Sequence, residues 1–264
     1  MKRFLFIIGL SIFITACHSS KGDIKVGTID GPETDLMRTA IQVAKQNDQL
    51  QIKIITFSDY LQPNTALNDG SINANMFQHR AYLETQIKQH GYNLAIACKT
   101  FIYPMGLYSA KYKTLDELPD NAIVAIPNDP TNEGRALLLL QHAGLIRINP
   151  ASGSEATPND ITQNNKHLQF KELDAADITR AYHDVALATI NTNYAIPAGL
   201  MPSRDALAVE NTDSPYANVL VVRQGDIGKP WVHPLCEALH SKAVLDQAKI
   251  LFNGQAIPAW TQAS

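Results

Sequence analysis

Apolar and polar residues recur along this chain in short runs that switch repeatedly between a period of two and a helical period. Ile24-Lys25-Val26-Gly27-Thr28 alternates as a strand. Beyond Gly31-Pro32, the positions Leu36, Ala40, Val43 and Ala44 form an apolar stripe at helical spacing. Gln51 to Phe57 predicts a second strand. Ser58 or Asp59 then caps a short helix through Leu67, ended by Asn68-Asp69-Gly70. Ile72 to Met76 predicts a short strand, Ala81 to His90 a helix closed by Gly91, and Leu94 to Tyr103 another strand.

The second half keeps this style without repeating the sequence. Ala122 to Ile126 predicts a strand, Pro127-Asn128-Asp129-Pro130 breaks it, and Arg135 to His142 predicts a helix stopped by Gly144. Residues 149 to 160, rich in Pro, Ser, Gly and Asn, read as a surface loop. Leu168 to Leu173 and Val185 to Ile190 predict strands, the second so apolar that both of its faces should be buried. Ala206 to Val209 and Ala217 to Val222 are further strands, and two helices within Pro234 to His240 and Ala243 to Phe252 close the chain. The alternation is that of an α/β protein. Two α/β lobes joined by short crossings fit this order, although periodicity alone does not prove two.

The first residues break the pattern. Lys2 and Arg3 precede an apolar run from Phe4 to Ile14, too short for a membrane-spanning helix, which needs ~20 apolar residues, but suited to a signal peptide. Ile14-Thr15-Ala16-Cys17 resembles a bacterial lipobox. That resemblance implies a lipid on Cys17 and cleavage before it, so that residues 1–16 are a lipoprotein signal peptide and 17–22 a lipidated tether.

Composition mainly excludes. The formal net charge is -3 with basic and acidic residues interspersed, which argues against the basic stripe of a nucleic-acid binder. No second apolar run approaches spanning length. Beyond Cys17 only Cys98 and Cys236 remain, and either a disulfide or two buried thiols would fit them. The chain contains no Gly-x-Ser-x-Gly elbow, P-loop, Gly-x-Gly-x-x-Gly or His-Glu-x-x-His, so no enzymatic activity is expected. His233, Cys236 and His240 fall roughly on one helical face, but Pro234 starts a helix there. We therefore read His233 as a cap residue and the others as packing, and expect neither metal nor cofactor.

Longer motifs carry a resemblance. Phe57 to Asn64 (FSDYLQPN), Ala74 to His79 (ANMFQH), Thr100 to Pro104 (TFIYP) and Leu115 to Pro119 (LDELP) are four of them. The longest is Val124 to Leu140 (VAIPNDPTNEGRALLLL). Glu172 to Ala176, Ile190 to Ala195, Asp213 to Asn218 and the closing Ile257-Pro258-Ala259-Trp260 complete the set. In this order they resemble the NlpA/MetQ-type methionine-binding lipoproteins that serve methionine ABC importers. The resemblance implies a type II periplasmic-binding-protein fold, two α/β lobes with the ligand cleft between them. It places residues 23–108 plus 218–264 in one lobe and 112–212 in the other, with crossings near 105–112 and 213–221. The partners it implies are methionine, the importer's membrane and ATPase subunits, and a membrane reached through the lipid on Cys17, with the body facing the periplasm.

A free amino acid presents a carboxylate, an ammonium and a side chain, and each needs a complement. The guanidinium of Arg135 offers a planar fork to a carboxylate near the start of a helix opened by Asp129-Pro130, and the family's carboxylate arginine matches it. Asn193 and Asn218 are the candidates for the polar head, since an amide donates at one end and accepts at the other. Asn132 and Asn191 are weaker, because Asn at a helix start or turn is commonly a local cap. Tyr60, Phe77 and Tyr82, with His79 beside them, lie in the motifs that line the family's side-chain pocket, where a thioether sulfur would meet ring edges. Arg80 stands where relatives often carry Lys and Met76 where Tyr is common, which leaves side-chain preference the least defined property. A methionine-containing dipeptide, another apolar amino acid, or a surface interaction protein on the same scaffold are the alternatives.

Overall fold

The computed structural model describes residues 23–211 and 214–260. The signal peptide, Cys17 and the tether lie outside the described residues. Among the described residues, no helix is long and apolar enough to cross a membrane.

The chain first builds β1 (Ile24–Ile29), α1 (Pro32–Asp48), β2 (Ile52–Phe57), α2 (Pro63–Asn68), β3 (Ala74–His79), α3 (Arg80–His90) and β4 (Leu94–Ile102). It then builds β5 (Gly106–Tyr108), β6 (Ile123–Pro127), α4 (Pro130–His142), β7 (Arg147–Ile148), β8 (Ile161–Gln163), β9 (Gln169–Leu173), α5 (Ile178–Ala181), β10 (Leu187–Ile190), α6 (Thr192–Ala195), α7 (Pro202–Asp205) and β11 (Ala206–Val209). It returns through β12 (Ala217–Arg223), α8 (Val232–Leu239), α9 (Lys242–Leu251) and β13 (Ile257–Pro258). One sheet has the order β13-β4-β12-β3-β1-β2 and the other β11-β5-β10-β6-β9, with β7 and β8 forming a small ribbon. In each sheet the parallel pairs are flanked by antiparallel returns: β1 runs parallel to β2 and β3, while β12 runs antiparallel to β3 and β4. The two sheets with their helices are the two α/β lobes of the expected binding-protein fold.

Each lobe has its own core. α1 packs its stripe of Leu36, Met37, Ala40 and Ala44 against Leu220, Leu235 and Phe252. α4 sets Ala136, Leu137 and Leu140 against Ile126 and Leu187. The helix α4 lies tight on the turn at Gly153–Glu155: a Cβ at Gly134 would stand 2.2 Å from the Ser154 carbonyl oxygen. The wall β3 is buried at all six residues, polar ones included. It is tolerated because Asn64, Asn75 and Gln78 satisfy one another: Asn64 Nδ2 donates to Gln78 Oε1 at 2.8 Å and Asn75 Nδ2 to Asn64 Oδ1 at 2.9 Å. Those polar motif residues are therefore structural and hold α2 onto β3.

Five expectations change. Gly106–Tyr108 pairs with β10 and β11, so the chain leaves the first sheet after Ile102, earlier than the expected crossing at 105–112, and residues 106–108 belong with the second sheet. The return crossing likewise begins after Val209 and ends before Ala217. Neither Ser58 nor Asp59 caps α2; Asp59 Oδ1 accepts from the Leu61 amide at 2.9 Å in a local turn, and the helix waits for Pro63 at its first position. The helix expected from Arg135 starts instead at Pro130, with Asp129 as its cap. His233 is not a cap either: α8 opens at Val232, and His233 lies exposed beside Glu237.

Cys98 and Cys236 form a disulfide that joins β4 to α8 within the first lobe, and no metal-binding cluster occurs among the described residues. His240 stacks on Trp260 with ring centroids 4.3 Å apart next to this bridge. The disulfide closes a separation of 138 residues, so its loss should cost about 2–4 kcal/mol of folding stability. Urea unfolding of a Cys98→Ser, Cys236→Ser double variant measures this, and an unchanged midpoint would mean the bridge does not restrain the unfolded chain.

Candidate ligand-binding site

The lobes stand closed on one another. Tyr60 donates its hydroxyl to Asn193 Oδ1 across the cleft at 2.8 Å, and the rings of Tyr60 and Tyr194 lie 5.1 Å apart. Gly31 makes this approach possible: its φ is +136, and a Cβ there would press on Pro197 at 3.2 Å and the Asn193 carbonyl at 3.4 Å. Between the lobes is a narrow cavity with about 20 Å³ of free volume in this closed arrangement. Tyr60, Phe77, His79, Tyr82, Arg135, Asn193 and Asn218, the seven candidates for ligand contact, all line it, together with Gln78, Tyr103, Asn132, Asn191 and Thr192.

One wall is aromatic. Tyr60, Phe77 and Tyr82 surround one another with centroids 5.7–5.9 Å apart, the two rings that meet Tyr82 edge-on. Burial pushes the Tyr60 and Tyr82 phenols well above their ordinary range, so both remain neutral donors. His79 ends β3 and caps α3, its Nδ1 accepting the Tyr82 amide at 3.1 Å. That hydrogen bond leaves the proton on Nε2, which faces Asn132 Oδ1 at 3.4 Å. Burial, reinforced by the charge of Arg135, pushes the His79 pKa down to about 3.

The opposite wall is polar and divided by sign. Arg135 is buried in the second turn of α4, because Asp129 caps that helix by accepting from the Asn132 amide at 3.0 Å. Its Nε and Nη2 clasp both carboxylate oxygens of Glu210 at 2.9 and 2.5 Å, and Nη2 also donates to the Tyr103 carbonyl at 2.9 Å. Tyr216 lies beneath the guanidinium at 4.5 Å. The expected ligand fork is thus half engaged by Glu210, and Nη1 has no protein hydrogen bond among the described residues. Asn193 Nδ2 and Asn191 Oδ1 are buried with no partner, a donor and an acceptor on the same wall. Asn132 holds to Asp129, as a local cap should, yet its Oδ1 also takes Asn191 Nδ2 at 2.9 Å. Asn218 stands beside His79 in the β3–β12 register and gives its Nδ2 to Glu33 Oε1 at 2.9 Å.

Gln78, Tyr103 and Thr192 line the cavity, and Glu33, Glu210, Tyr194 and Tyr216 stand against the lining residues; the sequence expectations named none of them, while Asn132 and Asn191, read as weaker candidates, also line it. Nothing local marks the two carboxylates. Glu33 reads as an ordinary acidic first-turn residue of α1 and Glu210 as the polar end of a strand; only their lateral neighbours make them part of the cleft.

Two α/β lobes enclosing one polar and aromatic cavity at their junction define the substrate-binding-protein class. Similarity carries this further. The model of the NlpA lipoprotein family matches residues 24–260, and the chain belongs to that family. It is 44% identical over 255 residues to the D-methionine-binding lipoprotein MetQ of Salmonella typhimurium, covering 95% of this chain and 94% of that one. Among solved structures it is similar to an ABC transporter periplasmic substrate-binding protein from Coxiella burnetii, at 56% identity and a TM-score of 0.87, covering 89% of this chain and 100% of the other. It is also similar to a nutrient-binding protein from Burkholderia cenocepacia bound to methionine, at 46% identity and a TM-score of 0.88, covering 89% and 99%.

Burial of the Glu33 carboxyl outweighs its bond to Asn218 and pushes its pKa up to about 7. Stability that comes from protonated Glu33 is complete below about 4.5 and is lost as pH rises through about 7. Stability from neutral His79 is complete above about 6.5 and is lost as pH falls toward about 3. Between pH ~4.5 and ~6.5 the two slopes oppose each other. The thermal midpoint of the wild type should therefore be nearly flat there, while Glu33→Gln should lose stability steadily on acidification. Parallel melting curves for the two proteins would remove Glu33 from this balance.

Proposed function

We propose that this protein captures methionine between its lobes and delivers it to an ABC importer while anchored to a membrane by lipid on Cys17, facing the periplasm. Its role is binding, not catalysis. The observation that carries the proposal is the arrangement of Asn193 Nδ2, Asn191 Oδ1 and the remaining edge of Arg135 opposite an aromatic cage. A zwitterion fits that division of charge. Its carboxylate would take Arg135 Nη1 and Asn193 Nδ2; its ammonium would take carbonyl oxygens of Asn191 and Asn218. A thioether would lie among Tyr60, Phe77 and Tyr82, where sulfur over ring edges gains about 0.3–1.5 kcal/mol per contact. The names of the Salmonella and Burkholderia relatives support the same ligand.

Closure follows from where the contacts originate. Tyr60, Phe77, Tyr82 and Asn218 belong to the first lobe, Arg135, Asn191 and Asn193 to the second, so a ligand that satisfies both sets favours the closed arrangement. The importer would then read the closed form.

Isothermal titration of the full-length protein, unfolded and refolded to strip carried ligand, tests the proposal with L-methionine, D-methionine, glycyl-methionine and leucine. One-to-one binding of methionine with leucine silent is expected; heat from leucine but none from methionine would discard the ligand. Arg135→Ala should weaken binding by about 100-fold or more, Tyr60→Leu by about 10-fold, because the first leaves a desolvated carboxylate without its charge partner. Asn218→Ala should also bind more weakly. Wild-type affinity in Arg135→Ala would overturn the assignment of the carboxylate site.

A further inference from the structure

Glu33 is a buried carboxyl that the binding scheme above does not use. It occupies the second position of α1, is 1% exposed, and reaches the cavity wall only through Asn218. Its Oε1 accepts from Asn218 Nδ2, whereas its Oε2 is buried with no partner. An ionised carboxylate has no proton to give, so it can bind an amide only by that amide's NH2 end. Asn218 is then obliged to keep its carbonyl oxygen for the cavity. A protonated carboxyl is under no such obligation: its hydroxyl can donate to Asn218 Oδ1 and turn the NH2 end toward the ligand, where an ammonium would meet a donor.

Resting on the amino-acid reading of the cleft, we propose that Glu33 is a positioning residue that holds Asn218 as an ammonium acceptor, so that capture of a zwitterionic amino acid requires ionised Glu33 and releases a proton when Glu33 begins protonated.

The surroundings isolate this one titration. The titratable groups facing Glu33 are Tyr60 from the segment before α2, Tyr103 from the first crossing and Tyr194 from α6; burial holds all three phenols neutral well beyond physiological pH. On β3, His79 is neutral down to about 3, and on α4 the charge of Arg135 is matched by Glu210. Farther along the cleft, Asp129 is held by Asn132 and Thr131. On α1 itself, Asp35 is exposed and paired with Arg38. The start of α1 favours the anion, and burial opposes it; burial prevails, and the Glu33 pKa stands at about 7. An adjoining ammonium would pull it down again.

The test is titration calorimetry of the full-length protein with L-methionine between pH 8 and 5.5, a range over which the free amino acid stays zwitterionic. Wild-type affinity should fall about 30-fold toward the acid end, the factor that follows from one group of pKa about 7 that must be ionised. Heats compared in buffers of different ionisation enthalpy should show close to one proton released per ligand at pH 6. Glu33→Gln, like the protonated carboxyl, offers Asn218 a donor as well as an acceptor, so it should bind about as weakly as the wild type at the acid end, with less than a threefold change across the range. Should that variant not fold, 4-(methylthio)butanoate, which lacks the ammonium, gives the second arm: its affinity for the wild type should change less than threefold. Tight methionine binding at pH 8 that stays constant to pH 5.5 would overturn the role of Glu33 alone, as would a full acid slope in Glu33→Gln or with the desamino ligand. No methionine binding at pH 8 would overturn the amino-acid reading itself, and this proposal with it.

Discussion

The clasp between Arg135 and Glu210 is the interaction on which the cleft depends. A guanidinium 4% exposed between two lobes is tolerable only with a charge partner and with its donors satisfied. Glu210 supplies the charge, the Tyr103 carbonyl takes another hydrogen bond, and the Tyr216 ring covers one face. These partners lie in or beside the two chain crossings. Glu210 Oε2 also accepts the Met105 amide at 3.2 Å, so both strands of the junction are tied to one side chain of α4. The arginine proposed for the ligand carboxylate and the anchor of the junction are the same residue. A substitution at Arg135 would therefore remove the proposed ligand contact and leave a buried carboxylate at the junction, so that its effect on binding would contain both.

The charge already matched by Glu210 sets what the remaining edge can do. A lone buried guanidinium would attract any anion. Paired as it is, Arg135 contributes directed N–H groups more than net charge, and selectivity passes to the placement of neutral amides. Each of those amides has one end fixed by protein: Asn193 by Tyr60, Asn191 by Asn132, Asn218 by Glu33. With one end fixed, the other is no longer interchangeable, and an amide becomes a dedicated donor or acceptor. The network behind the wall thus gives three chemically identical side chains three defined polarities.

Most of the fold was legible because periodicity and punctuation report local structure. The stripe Leu36, Ala40 and Ala44 is buried as its spacing requires, and Gly91 closes α3 in the left-handed conformation with φ 68. The errors fall where a local rule competed with another. Asp59 has the composition of a helix cap but spends its oxygen on a turn, and the three-residue β5 is too short to show a period. The site was legible through its motifs, which gathered Tyr60, Phe77, His79, Tyr82, Arg135, Asn193 and Asn218 around one cavity. What no motif conveyed was the second partner of each group. Glu33 lies 185 residues from Asn218 and Glu210 lies 75 from Arg135, and such pairings arise from sheet register and lobe closure, not from neighbouring sequence. The pairing of Cys98 with Cys236 across 138 residues was undecidable from the chain for the same reason.

Closure and selectivity are consequently one property. In the closed arrangement Asn193 Nδ2 and Asn191 Oδ1 are sealed from solvent without protein partners, each at a cost of about 1–3 kcal/mol. In an open cleft the same atoms would be hydrated and that cost would vanish. A ligand that supplies an acceptor to one and a donor to the other, in the right places, offsets the cost only when the lobes are shut, which is the differential affinity a conformational shift requires. A ligand lacking either group gains the aromatic contacts but leaves one amide stranded, and so favours closure less. On the proposed reading, an apolar side chain alone would not close the protein efficiently; the zwitterionic head would be read first, and the cage of Tyr60, Phe77 and Tyr82 would then discriminate among those side chains that the head has brought within reach.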